Sequence, residues 1–368
     1  MSKEASQTRM TFVRTGPSQY VNRAGVLRQA GESIAPWGNR ALISGGEKAL
    51  ASAQAPLTKS LDKAGIAWRK HLFTGECSRP NIAAIKADAQ KHKAKVIVGV
   101  GGGKSIDAAK QAGADLGLPV VCIPTIAATC AATTALSIIY TDRGVFQKIQ
   151  FQPTNPSLVL VDPNIITQSP IMYLRAGILD SLAKWYEGRS VVPNVQNPDA
   201  PTVAAFQLAE VLYKGHKKYA IEAVRLNTEH RVEDALVHTL DLTILLTGMI
   251  QSLSKGTLFT SIAHPLHNGM TLIKESHNVL HGLKVGYAIV VQLIVEKWPK
   301  KELESVISFF GQLGLVPSLK ALNLPFDRDL VLRVADMTAR SPHFGPLNYT
   351  VDKFEIAAAM EMLEKRFA

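Results

Sequence analysis

The sequence predicts an α/β domain over residues 1–163 followed by an all-α domain over 164–368. Three observations predict it. Short β-branched runs alternate with helix-patterned segments in the first part, a glycine-rich turn joins one such run directly to a helix, and strand signals nearly vanish after Asp162-Pro163. Alternation of this kind gives a parallel sheet covered by helices on both faces.

Taken in order, strands are expected at 40–44, 66–72, 95–98, 119–123, 137–140 and 157–161, with helices at 46–64, 79–92 and 104–116. From about Ile165 onward apolar residues recur at helical spacing, as at 204–217, 232–252 and 283–296. No internal repeat or low-complexity segment interrupts the chain. One stretch, VVPNVQNPDAP at 191–201, reads as a linker-like patch.

The glycine-rich turn lies in VIVGVGGGKSID, Val96 to Asp107. It ends in GKS, yet a P-loop needs glycine where Val98 stands, and a GxGxxG fingerprint starting at Gly99 and Gly101 needs glycine where Lys104 stands. Both standard patterns fail by one position. What survives is a β-branched strand, a glycine turn and a helix N-terminus, whose first-turn N–H groups and dipole together attract an anion. A phosphate or pyrophosphate site is the functional reading of this turn; a purely structural turn is the bland one.

Composition sets bounds. At 368 residues the chain is long enough for two domains, and 46% hydrophobic with 19% charged residues is ordinary for a soluble globular protein. No apolar run is read as reaching a membrane-spanning length of about 20 residues, and MSKEASQTRM at the N-terminus lacks an apolar signal core, giving a cytoplasmic expectation. Cys77, Cys122 and Cys130 fit neither a CxxC pattern nor a disulfide framework. The net charge of +11 admits nucleic acid or anionic small molecules as partners. The basic clusters KGHKK at 214–218 and KWPKK at 297–301 are short and far apart, and read as solvated helix faces rather than a nucleic-acid stripe.

Four of the ten histidines, His264, His267, His277 and His281, fall in HPLHNGMTLIKESHNVLH. A carboxylate, Asp180, lies well before them on the expected helix AGILDSLAKWYEG. Imidazoles with a carboxylate suit a divalent metal of the zinc or iron type, and three protein ligands with an open position make a catalytic site. By spacing alone the four histidines could equally form polar helix faces.

GGGKSIDAAK, PTIAATCAATTALSIIY, GILDSLAKWYE, AHPLHNG and HGLKV stand in this order along the chain. Together they resemble the glycerol dehydrogenase group of the iron-containing alcohol dehydrogenase superfamily, from about Tyr20 to the C-terminus. The resemblance implies an N-terminal dinucleotide-binding α/β domain and an all-α C-terminal domain, with metal and substrate in the cleft between. It implies NADP or NAD as cofactor, Zn²⁺ or another divalent metal such as Fe²⁺, and a homo-oligomer. By similarity Gly101, Gly102, Gly103, Lys104 and Asp107 belong to or support the pyrophosphate loop, and Thr125, Thr134, Leu136 and Tyr140 are further cofactor contacts. Asp180, His264 and His281 match three metal ligands. Lys184 stands where other members carry a further histidine ligand. His267 and His277 are left as candidates for orienting ligands or relaying a proton, or for a structural role.

Departures bear on the substrate. Glycerol dehydrogenases carry a polyol-binding aspartate where this sequence has Cys130, so the site loses a hydroxyl acceptor and a negative charge. A less negative site admits a substrate carboxylate, and TIAATCAA with LAKWYE resembles the hydroxycarboxylate dehydrogenase branch, which reduces 2-oxo acids. The bland reading of Cys130 is a small space filler. At Gly45, NAD-preferring members have an acidic residue that holds the adenosine ribose; here glycine, followed by Lys48, leaves room for a 2′-phosphate and favours NADP. Leu179 and Leu283 replace a usual glycine and glutamate.

The resulting expectation is metal-assisted hydride transfer between a nicotinamide cofactor and a 2-hydroxy acid/2-oxo acid pair. The alternatives are a glycerol or other polyol dehydrogenase, a metal-dependent cyclase resembling dehydroquinate synthase, and a basic polyanion-binding protein that kept the fold without the chemistry. No nucleic-acid or membrane partner is expected.

Overall fold

The structure, a computed structural model, describes residues 11–254 and 259–367. The signal-sequence reading of MSKEASQTRM lies outside the described residues. The strands are β1 (Gln19–Asn22), β2 (Arg40–Gly45), β3 (Ala67–Leu72), β4 (Val96–Gly101), β5 (Val120–Pro124), β6 (Leu136–Tyr140), β7 (Phe146–Phe151) and β8 (Leu158–Val161). All except β6 and β7 form one parallel sheet in the order β1-β8-β5-β4-β2-β3.

Every residue of β4, β5 and β8 is buried, as the near-continuous apolar runs require of central parallel strands. On one face Ile43, Val98, Val121 and Leu160 pack with Leu27, Leu57 and Leu61. On the other Leu42 and Ile97 pack with Ile85, Ala108 and Ala112. The edge strand β3 carries exposed Arg69 and Lys70, which discourage pairing with another chain.

Two strands were not expected, β1 and β7, and the expected strand at 137–140 does not join the parallel sheet. It pairs antiparallel with β7 in a separate hairpin. The reason is a buried ion pair on the helix Gly103–Leu116. Asp107 Oδ2 accepts from the Ile138 N–H at 3.0 Å, and Lys110 Nζ, 2.9 Å from Asp107 Oδ1, donates to the Thr134 and Leu136 carbonyls. These contacts hold β6 against the helix instead of against β5.

From Pro163 to Phe367 the described residues form helices and loops, without strands. A single buried cluster crosses this boundary, joining Cys122, Ala127, Val159 and Val161 to Ile178, Leu179 and the helices beyond. The patch at 191–201 is not a linker between domains. It connects the helices Met172–Val191 and Ala200–Thr228 through a 3-10 turn at Val192–Asn194, with Asp199 Oδ1 accepting from the Thr202 N–H at 3.1 Å as an N-cap.

The helix expected at 232–252 is broken into Asp234–Leu240, a π-helical turn Asp241–Leu246, and Thr247–Leu253. Thr133 Oγ1 reaches into the turn and donates to the Ile244 carbonyl at 2.6 Å, the kind of inserted side chain that interrupts a helical ladder. Contrary to the sequence reading, the stretch Asp234–Leu253 is long and apolar enough to cross a membrane by length and composition. Its apolar residues Leu236, Leu240, Ile244 and Ile250 are buried in the helical core, and Asp241 accepts hydrogen bonds from Tyr20 and Asn22 of β1.

Candidate active site

Strand order reverses between β2 and β4, so their carboxyl ends, Gly45-Gly46 and Gly101-Gly102-Gly103, stand side by side at the switch point of the sheet. In open α/β sheets that is where a ligand binds. Gly101 has φ +135°, closed to L side chains. A Cβ on Gly102 would lie 2.7 Å from Ile126 Cδ1. The helix Gly103–Leu116 has no side-chain cap, so its first N–H groups are left for an anion. Gly101 to Gly103 line a small cleft with Pro124, Ile126 and Thr129, and the Thr125 N–H fastens the end of β5 to the Gly101 carbonyl at 3.1 Å.

Other expected cofactor residues are placed differently. Asp107 lies within the helix, 5% exposed, with its carboxylate already engaged by Lys110 and the Ile138 N–H. Its carboxylate holds the Ile138 N–H and so positions the hairpin beside the glycine turn. Lys104 extends to an ion pair with Glu76 at 2.5 Å. Thr134 is buried, and Thr134 and Leu136 meet Lys110 through their carbonyls. The Tyr140 N–H donates to the Cys77 carbonyl. Gly45 is buried beside Val100, and a Cβ there would lie 2.6 Å from the Val100 carbonyl oxygen, whereas Gly46 has only the Phe73 carbonyl at 3.9 Å. At the end of β2 a side chain is therefore accommodated at Gly46, not at Gly45.

The second half brings Asp180, His264 and His281 together, with one donor atom from each within 4.8 Å of the others. Asp180 lies on the helix Met172–Val191, His264 on Ala263–Gly269, and His281 at the start of His281–Val295. Close backbone approach makes the convergence possible. A Cβ on Gly282 would lie 1.8 Å from the Ala176 carbonyl, and one on Gly177 would lie 1.9 Å from the Ala127 carbonyl. Leu179, a departure from the family pattern, fills space against Gly286.

The hydrogen-bond partners aim both imidazoles at the carboxylate. His281 Nε2 and His264 Nε2 lie 3.1 and 3.6 Å from Asp180 Oδ1. The opposite ring nitrogens are taken: His264 Nδ1 meets Glu187 Oε2, and His281 Nδ1 meets His267 Nε2 at 3.0 Å. With His267 donating in turn to Asn268 Oδ1 at 3.2 Å, both imidazoles turn their Nε2 to the centre. This donor set, two imidazoles and a carboxylate, fits a divalent metal of the zinc or iron type.

Electrostatics follow the geometry. Burial alone would raise the Asp180 carboxyl, but the charges and hydrogen bonds of His281 and His264 outweigh it and hold it well below the usual range. Burial would lower His264, yet the charge of Glu187 and hydrogen bonds to Asp180 and Glu187 push it up to about 9. Burial, aided by the charge of His281, pushes His267 well down, so its imidazole is neutral. Burial pushes the Cys130 thiol up to about 11, with Lys184 and Asp180 as the principal charges acting on it. His277 is exposed on the turn Lys274–Asn278 and is not brought to the cluster.

Sequence reasoning missed Glu187. Completely buried, it accepts from the Ser261 and His264 N–H groups at 2.9 and 3.1 Å as well as meeting the His264 ring. Its signal was the seven-residue spacing from Asp180, which places both on one face of a helix. Lys110 was also missed, although its three-residue spacing from Asp107 marks a helical ion pair.

A family model described as iron-containing alcohol dehydrogenase matches residues 17–163. The chain belongs to the iron-containing alcohol dehydrogenases, oxidoreductases that act on CH–OH groups with NAD(P) and a divalent metal. It is 35% identical to a glycerol dehydrogenase of Escherichia coli O6:H1 over 88% of each chain. It is 33% identical to hydroxycarboxylate dehydrogenase A of Escherichia coli K12 over 94% of this chain and 96% of the relative. The crystal structure of glycerol dehydrogenase from Schizosaccharomyces pombe superposes with a TM-score of 0.87 at 28% identity, covering 97% of this chain and 91% of that one.

Proposed function

We propose that the chain transfers a hydride between NAD(P) and a small 2-hydroxy acid/2-oxo acid pair, with Asp180, His264 and His281 as metal ligands. The observation that carries the substrate reading is Cys130: close enough to feel the Asp180 and Lys184 charges, it offers a protonated thiol, so no added carboxylate repels a substrate anion there. The glycine loop at the switch point supports the dinucleotide site. Gly46 and the nearby Lys48 favour NADP over NAD, because no side chain at Gly46 competes with a 2′-phosphate.

Bound by those three side chains, a divalent metal supplies Lewis-acid polarisation of the substrate oxygen. Glu187 and His267 fix the ring orientations of His264 and His281. A nicotinamide cofactor held at the glycine loop Gly101–Gly103 would supply the hydride in the reductive direction, with the substrate oxygen taking up one proton. Oxidation reverses both transfers. The fold contributes by holding the two reacting carbons in the cleft between the glycine loop and the histidine cluster.

A second reading, oxidation of glycerol or another polyol, is favoured by the similarity to the glycerol dehydrogenases. Cys130→Asp separates the two. On the hydroxy-acid reading it lowers the ratio of kcat/KM for 2-oxo acids to that for dihydroxyacetone by tenfold or more. An unchanged ratio overturns the role given to Cys130.

A further inference from the structure

Lys184 has a defined place and no counter-charge. It follows Asp180 by four residues on the helix Met172–Val191, so the two share a face. Its Nζ donates to Gln251 Oε1 at 2.7 Å, and among the described residues it joins no ion pair. Lys110, whose charge also acts on the Cys130 thiol, is neutralised by Asp107 at 2.9 Å. A neutral amide orients the Lys184 ammonium without balancing its charge, and the ammonium keeps further N–H donors for another acceptor.

The helix that carries Gln251 is pressed against the Cys130 turn. Gln251 lies three residues after Gly248 on the helix Thr247–Leu253, and a Cβ on Gly248 would meet Thr133 Oγ1 at 2.0 Å. Thr133 in turn donates through its N–H to the Cys130 carbonyl at 3.0 Å, while its hydroxyl serves Ile244. Lys184, Gln251 and Cys130 therefore converge on one wall beside Asp180. The Lys184 charge also acts on His264 across the cluster.

We propose that Lys184, oriented by Gln251, anchors the carboxylate of the substrate and so selects 2-oxo and 2-hydroxy acids over uncharged polyols and ketones. Asp180 is engaged by two histidines and offers Lys184 no ion pair, so an incoming carboxylate supplies the missing charge. Charged hydrogen bonds of this kind are short and strong, and losing one leaves the substrate anion desolvated. Gln251 is a positioning residue; Lys184 is the one that touches substrate.

The inference rests on the hydroxy-acid reading, and the test separates the two. The full chain, loaded with zinc and saturated with NADPH, is titrated with oxamate, a non-reducible 2-oxo acid analogue, as wild type, Lys184→Met, Lys184→Arg and Gln251→Ala. Lys184→Met is expected to weaken oxamate by about ten- to hundredfold, Lys184→Arg by much less, and Gln251→Ala by an intermediate factor. The ratio of kcat/KM for a 2-oxo acid to that for hydroxyacetone, an uncharged ketone of similar size, is expected to fall in parallel. Oxamate binding within twofold of wild type in Lys184→Met overturns the assignment, as does a wild type that does not bind oxamate. A wild type that reduces only hydroxyacetone overturns the hydroxy-acid reading, and the oxamate titration then decides on Lys184 by itself.

Discussion

Glu187→Gln changes one atom of the side chain and puts to the test the orientation of His264, which we propose as a metal ligand. The carboxylate is fully buried and accepts from the Ser261 N–H at 2.9 Å and the His264 N–H at 3.1 Å through Oε1, while Oε2 meets His264 Nδ1. All three partners need an acceptor. A glutamine offers one oxygen, so its NH₂ must face either the two backbone donors or the imidazole. The first arrangement sets donor against donor; the second leaves His264 accepting at Nδ1, with its proton on the Nε2 that faces Asp180. Either costs about 1–3 kcal/mol, the range for an unsatisfied buried polar group, which corresponds to roughly five- to 150-fold in an equilibrium constant. Zinc affinity, read by competition with a chromophoric chelator, is therefore expected to fall by about ten- to hundredfold, as for other partners of metal-ligating histidines. His264→Ala, which removes the ligand outright, sets the floor. Glu187→Asp is expected to recover part of the loss. Unchanged zinc affinity in Glu187→Gln, with His264→Ala lacking zinc, would refute the orienting role while leaving the ligand set standing.

Further expectations concern the backbone and the cofactor. Gly46→Asp introduces an N-cap on the helix Glu47–Lys63 in open, extended backbone, so it is expected to fold normally and to lower kcat/KM for NADPH relative to NADH; equal effects on the two remove the basis for preferring NADP. Gly45→Asp, by contrast, is expected to lower the melting temperature because its Cβ would lie 2.6 Å from the Val100 carbonyl oxygen. In Gly282→Ala the new methyl would stand 1.8 Å from the Ala176 carbonyl and force apart the helices that carry Asp180 and His281. The expected cost is at least the roughly 1–3 kcal/mol of overpacking, together with weakened zinc binding. A variant with wild-type melting and zinc affinity would contradict the close-approach account.

The sequence revealed the parts whose signals are local. The buried strands β4, β5 and β8 read as β-branched runs, the glycine turn ran directly into its helix, and Asp180, His264 and His281 stood in ordered motifs. What could not be read depends on partners distant in sequence. The strand at 137–140 looks like any other short apolar run; only the buried Asp107–Lys110 pair draws it away from the parallel sheet into a hairpin. The π-helical turn at Asp241–Leu246 is set by Thr133, more than a hundred residues earlier. Glu187 sat in plain view in LAKWYEG, but its role appears only when the turn at Ser261 and His264 folds onto it. Gly45 illustrates the reverse case: its residue type suggested open space for a phosphate, whereas a glycine can equally mark a place where neighbouring strands leave none.

The most direct test of the substrate and cofactor assignment is a steady-state assay of the zinc-loaded protein with NADPH and NADH, each against a panel of 2-oxo acids and against dihydroxyacetone and related ketones. The assignment predicts that the highest kcat/KM belongs to a 2-oxo acid with NADPH. Activity confined to dihydroxyacetone with NADH would contradict it and identify the chain as a polyol dehydrogenase despite Cys130, Lys184 and Gly46.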